Sequence, residues 1–174
     1  MRRGGLLRVY TPLLGYVYVI VGGLASILAE DHRRAAFALF SLAGFTFLWW
    51  LGSLHARMIR YDPDGFFGMI VVLGGAAFLA LQPVALASTS TLIAGPAAAC
   101  AATVVIASSL AALSARKVGR RFGSLGVAGG VAVLVTGVVE SAADWTLSGQ
   151  TVWLSVIGFM IWVVVTSTYL IVHR

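Results

Sequence analysis

Glu140 and Asp144 stand four positions apart, directly after residues 122–139, a run of eighteen residues without a charged side chain. On a helix that spacing puts both carboxyl groups on one face. Glu140 lies nearer the apolar run and should have the higher pKa of the two, because loss of hydration disfavours the charged form. Such an acid can donate a proton or hold a cation. Trp145 follows at once, and an indole suits the aromatic belt at a membrane surface. Two readings fit. The pair is a helix end turning polar as it meets water, or it belongs to a ligand site together with the segment Glu30-Asp31-His32-Arg33-Arg34, whose guanidinium groups can pair with carboxylates.

Gln82-Pro83 is the second place where chemistry could sit. An amide inside an apolar run is costly to bury unless it is hydrogen-bonded, and proline frees a backbone carbonyl one turn earlier. A pocket bounded by Gln82, Glu140, Asp144 and Trp145, with His32 and Arg33 from the same side, is the sharpest expectation for a binding site. His32 next to Glu30 and Asp31 does not make a metal site, since adjacent positions do not share a helix face and no second histidine falls on that side. His55 and His173 fall at helix ends near Arg57 and Arg174, where contact with lipid headgroups is expected. The single cysteine, Cys100, excludes an intrachain disulfide or a thiolate cluster and reads as a small packing residue. No metal or cofactor is expected.

The elements that must position these residues are membrane helices. Of 174 residues, 60% are hydrophobic and 10% charged, against about one quarter charged in soluble domains. Six apolar runs approach the roughly 20 residues a spanning helix needs: residues 9–29, 35–54, 65–87, 91–115, 122–139 and 151–172. The first opens with Thr11-Pro12, where proline sacrifices no internal hydrogen bond. It is too long for the core of a signal peptide and lacks a small residue three positions before a cleavage point at Ala29, so an uncleaved helix is expected. Tyr61-Asp62-Pro63-Asp64-Gly65 forms a turn between the second and third runs. The brief Ser88-Thr89-Ser90 makes the third and fourth a tight antiparallel hairpin. The expectation is an all-α, polytopic bundle of six transmembrane helices in one integral membrane domain over residues 1–174.

Charge sets the orientation. With six spans, one side carries Arg2, Arg3, Arg8, Arg57, Arg60, Arg116, Lys117, Arg120, Arg121 and Arg174, and the other only Arg33 and Arg34. Basic residues concentrate on cytoplasmic loops, so both termini are expected inside. Arg116, Lys117, Arg120 and Arg121 read as a contact with anionic lipid headgroups. The net charge of +6 does not point to nucleic acid, which requires basic residues gathered on one soluble face. No charged residue falls at mid-depth in any run, which argues against an ion-coupled carrier or a proton pump. Small residues four apart, such as Gly22 with Ser26 and Gly126 with Gly130, suit close helix packing, within the chain or against a second copy.

Leu54-His55-Ala56-Arg57-Met58-Ile59-Arg60 leading through Asp64-Gly65 to Val72-Leu73-Gly74-Gly75, and Arg120-Arg121-Phe122-Gly123-Ser124-Leu125-Gly126, resemble stretches of small multi-pass membrane proteins of high-GC actinobacteria, similar to the DUF4386 group. The resemblance covers about the last two thirds of the chain. It implies a bacterial cytoplasmic membrane and six helices, and brings no activity and no site residues. From the residues themselves two functions compete, with an ion or proton channel having Glu140 at its mouth as a third. One is a non-enzymatic accessory subunit, or a binder or carrier of a lipophilic small molecule, with the lipid bilayer and a second copy or partner membrane subunit as its contacts. The other is a membrane-embedded enzyme using Glu140 as general acid on an apolar substrate, Asp144 tuning it and Gln82 orienting the substrate.

Overall fold

A computed structural model describes residues 10–28, 31–60, 62, 64–87, 91–114, 120–142 and 152–172, with side chains throughout except at 33, 85–87, 91–94, 140–142 and 152–154. These residues form six helices and no strand: α1 Leu13–Leu28, α2 Arg33–Met58, α3 Phe66–Ala87, α4 Thr91–Ser114, α5 Arg120–Ala142 and α6 Val152–Val172. Helices α2 to α6 are each long and apolar enough to cross a membrane, and α1 is a shorter apolar helix. Large apolar side chains such as Ile27, Phe45, Met69 and Leu125 stand exposed, Leu125 at 72%. Exposure on that scale is what a lipid-facing surface requires and a water-facing one avoids. The architecture is that of a helical membrane protein.

The expected boundaries hold to within four residues, the widest departures being the start of α1 at Leu13 and the end of α2 at Met58. Thr11 and Pro12 instead form a turn, with the Leu14 and Gly15 amides donating to the Thr11 and Pro12 carbonyls at 3.1 and 3.2 Å. At about 1.5 Å per residue, the sixteen residues of α1 rise some 24 Å, less than the roughly 30 Å of a hydrocarbon core. Pro83 does not end α3, which continues to Ala87. Helix α5 runs on past residue 139 to Ala142.

Internal contacts gather in two compact units, one of Met1–Leu54 with Val163–Arg174, the other His55–Trp162. In the first, α1 and α2 run antiparallel. Gly15 lies against Trp50 and, three residues on, the Tyr18 ring meets Phe47 with centroids 4.7 Å apart. Phe47 stacks in turn on Trp50 at 5.5 Å, so an aromatic ladder fills the interior, contributing roughly 0.5–1.5 kcal/mol per pair beyond area burial.

In the second unit α4 packs along both α3 and α5. As α5 advances through Gly123, Gly126, Gly130 and Gly137, its α4 neighbours fall from Leu113 through Ser109 and Ile106 to Ala98, the signature of antiparallel helices. Val133 completes this buried stripe at three- and four-residue intervals, a heptad seam in which glycine lets the backbones approach. Gly129 points away, with nothing within 4 Å of where a side chain would begin. The remaining core is aromatic, Phe78 against Phe159 at 4.8 Å and Phe159 on Trp162 at 6.1 Å. Replacing Gly130 by Val should therefore lower stability by about 1–3 kcal/mol through overpacking, while Gly129→Val should change it little. Thermal unfolding of the two detergent-solubilised variants checks this, and equal losses would remove the seam.

Candidate functional site

The residues expected to line a pocket fare unequally. Gln82 is buried in α3, 7% exposed, one residue before Pro83. The backbone of Glu140 is helical within α5. Its side chain, together with Asp144 and Trp145, lies outside the described residues, as do Glu30, Arg116, Lys117, His173 and the side chain of Arg33. His32 and Arg34 are exposed at the start of α2, and the His32 amide donates to the Leu28 carbonyl at 2.8 Å, carrying the chain from α1 into the next helix. Arg120 and Arg121 are exposed on the first turn of α5. Of the expected pocket, the described side chains are thus Gln82, which is buried, and His32, which is exposed. Among the described residues no three His, Cys, Asp or Glu side chains gather as a metal site would require.

Two arrangements that local sequence reasoning passed over carry most of the organised polarity. The first is the turn between α2 and α3. Gly65, at φ 68°, precedes the first helical residue of α3 and accepts the Met69 amide at 2.9 Å. Glycine tolerates that left-handed backbone but has no side chain to cap the helix. Asp62 supplies the cap from three residues upstream. It is 8% exposed, and its Oδ2 accepts the Phe67 and Gly68 amides at 2.7 and 3.2 Å. These are two of the four amides a helix leaves unpaired at its start, where the helix dipole also favours a negative charge. The signal was an acidic residue shortly before an apolar run. The competing reading of Pro63 and Gly65 as plain turn residues obscured it.

His55 belongs to the same corner. It is half-buried, and a methyl group on Gly68 would come within 2.7 Å of its Nδ1, so the imidazole lies on the opening turn of α3. Its Nδ1 is buried and meets no hydrogen-bond partner. Expected among lipid headgroups, His55 instead packs inside the unit because Gly68 leaves the space for its ring.

The second arrangement is a hydroxyl sequence on α6. Trp50 Nε1 donates to Ser167 Oγ at 2.9 Å, both residues being fully buried. The next residue, Thr168, donates to the Val164 carbonyl at 2.8 Å and pairs with the Tyr16 hydroxyl at 2.6 Å. Since the carbonyl can only accept, Thr168 spends its proton there and Tyr16 must be the donor. Two successive residues of α6 therefore hold α2 and α1. Thr166, 4% exposed, has a buried hydroxyl without a hydrogen-bond partner. No local pattern announces these bonds, because their partners lie more than a hundred positions apart.

Several other described hydroxyls turn back on their own helices. Ser26 donates to Gly22, Thr46 to Ala43, Thr103 to Ala99, Ser109 to Val105 and Thr136 to Ala132, at 2.6 to 2.9 Å. What the interior offers chemically is neutral hydrogen bonding, with the buried Thr166 hydroxyl left without a partner. No protein-family model, curated protein or solved structure matches the chain.

Two outcomes follow from this geometry. Asp62→Ala should cost roughly 0.5–2 kcal/mol by uncapping α3, with hydrogen exchange of the Phe67 and Gly68 amides rising specifically. Ser167→Ala should lower stability by about 1 kcal/mol by orphaning the Trp50 N–H, whereas Thr166→Val, which removes a buried hydroxyl lacking a partner, should raise it. A thermal unfolding series measures both, and a loss on Thr166→Val would mean that its hydroxyl is engaged.

Proposed function

We propose that this chain is a non-enzymatic integral protein of the bacterial cytoplasmic membrane, with both termini inside. It serves as an accessory subunit or as a binder and carrier of a lipophilic small molecule. The supporting observation is the character of the described interior. Its buried polar groups at mid-depth are neutral, and the Ser26, Thr46, Ser108 and Ser109 hydroxyls are bonded back to their own helices while Ser167 ties one helix to another. Charges meant for catalysis or ion coupling within a bilayer would stand there instead, because burying them is justified only by use. Gln82, buried beside a proline that frees a carbonyl, gives a lipophilic guest a polar contact. The ten-to-two split of basic residues supports the orientation.

Isolation from the native membrane in mild detergent, followed by native mass spectrometry, tests the function. A retained partner subunit, second copy or lipophilic molecule is expected, and a bare monomer in several lipid compositions would overturn the reading. Orientation is tested by labelling intact cells with an impermeant thiol reagent in a Cys100→Ala background. Asp31→Cys should label and Asp64→Cys should not. The reverse pattern would invert the topology.

A further inference from the structure

Two consecutive tryptophans of α2 meet opposite surroundings. Trp50 is fully buried, and its indole N–H donates to Ser167 Oγ at 2.9 Å. Trp49 faces outward, 49% exposed, on one helix face with Phe45 a turn before it and Gly52 a turn after it. The rings of Phe45 and Trp49 lie 6.2 Å apart, tilted by 57°. At Gly52 nothing stands within 4 Å of where a side chain would begin. The described residues give the Trp49 N–H no acceptor.

Depth makes that donor informative. A tryptophan at the membrane surface finds acceptors in headgroups and water. Along α2, Trp49 stands eight residues from Arg57 and fifteen from Arg34, about 12 and 22 Å at 1.5 Å per residue. With those cations at the two surfaces of a hydrocarbon core about 30 Å thick, Trp49 lies well inside it. Helical side chains also lean toward the N-terminus, which carries the indole away from the nearer surface. Phospholipid phosphates and ester carbonyls stay in the interfacial region, and acyl chains carry no acceptor. A second copy in the same membrane, related by a two-fold axis along the normal, would bring α2 level with itself. The exposed neighbours of Trp49 at that level, Phe45, Leu48 and Gly52, have no side-chain oxygen. What fits is a molecule that resides in the hydrocarbon and brings its own acceptor. The missing side chain at Gly52 lets a flat ring approach the helix beside the indole.

We propose that Phe45, Trp49 and Gly52 form a lipid-facing site for a flat lipophilic carbonyl compound of the quinone type. Its carbonyl oxygen accepts the Trp49 N–H, its ring lies on the surface left open at Gly52, and Phe45 braces the indole from the other side. The proposal rests on the reading of the chain as a binder of a lipophilic molecule, and it gives that molecule a chemical class and a site in the first unit.

The test is a titration of the full chain in detergent, followed by the indole N–H resonances of its five tryptophans. The probes are duroquinone, whose methyl groups leave the Cys100 thiol no open ring position to add to, and durene, the same methylated ring without the carbonyl oxygens. Duroquinone should shift, saturably, the one resonance that W49F lacks, and durene should not. The duroquinone concentration giving half-maximal thermal stabilisation should rise about fivefold in W49F, which keeps an aromatic ring but loses one hydrogen bond. G52V should also weaken binding by filling the open position, whereas G23V, at an equally open position of α1, should not. An equal response to durene, or shifts of all five indoles together, would reduce the effect to partition and overturn the proposal, as would undiminished affinity in W49F. Absence of any duroquinone response would overturn the site even where the wild type emerges from its native membrane with a lipophilic molecule bound, an outcome that leaves the reading as a binder standing.

Discussion

In hydrocarbon no water is at hand to complete a hydrogen bond, so every polar group the chain carries into the membrane must find its partner within the protein. Apart from groups such as the Thr166 hydroxyl, the described helices meet this demand in two ways. Most hydroxyls turn back one turn onto their own helix, as Ser108 does onto the Val104 carbonyl at 2.7 Å. A few are used between helices instead, and these organise the first unit, where Ser167 receives the Trp50 indole and Thr168 the Tyr16 phenol. Each such bond is worth only about 0.6 to 2 kcal/mol. Their value lies in direction, since an indole N–H finds its acceptor at one rotation of α2 against α6.

The same constraint governs what lies between the bonds. Apolar association gains little when the surrounding lipid is as apolar as the helices, so tight contact must come from shape. In the second unit glycine supplies it. Ser109 occupies the space a side chain at Gly126 would need, Ile106 does so at Gly130, and Ala98 at Gly137. In the first unit Gly15 plays this part beneath Trp50 and Ser167. Large aromatic side chains fill what remains, and other large apolar residues face outward, where lipid receives them.

At the end of the second unit the rule relaxes, because headgroups and water return. There charge reappears with a division of labour. Asp62 is drawn inside to cap α3, His55 lies over Gly68, and Arg60, Arg120 and Arg121 stay exposed. The acid is buried and the described arginines of this end, Arg60, Arg120 and Arg121, are exposed.

Sequence alone determined the helical class, the number of helices and most of their limits, because a spanning helix must be apolar along its whole length and charged or turn-forming residues mark where it stops. It also identified Gly126 and Gly130 as packing positions by their spacing, and Gln82 as a polar residue within a span. Only the tertiary structure decided that Gly129 faces outward while Gly126 and Gly130 face α4, that Ser167 and Thr168 hold α2 and α1, and that Asp62 is buried as the cap of α3. Apolar composition is uniform around a membrane helix and so carries no record of which face turns inward. Contacts between residues a hundred positions apart depend on how helices rotate against one another, which no local pattern encodes. The Glu140 and Asp144 pair shows the same division. Its place beyond an uncharged run is written in the chain, whereas what those carboxyl groups meet is a matter of packing.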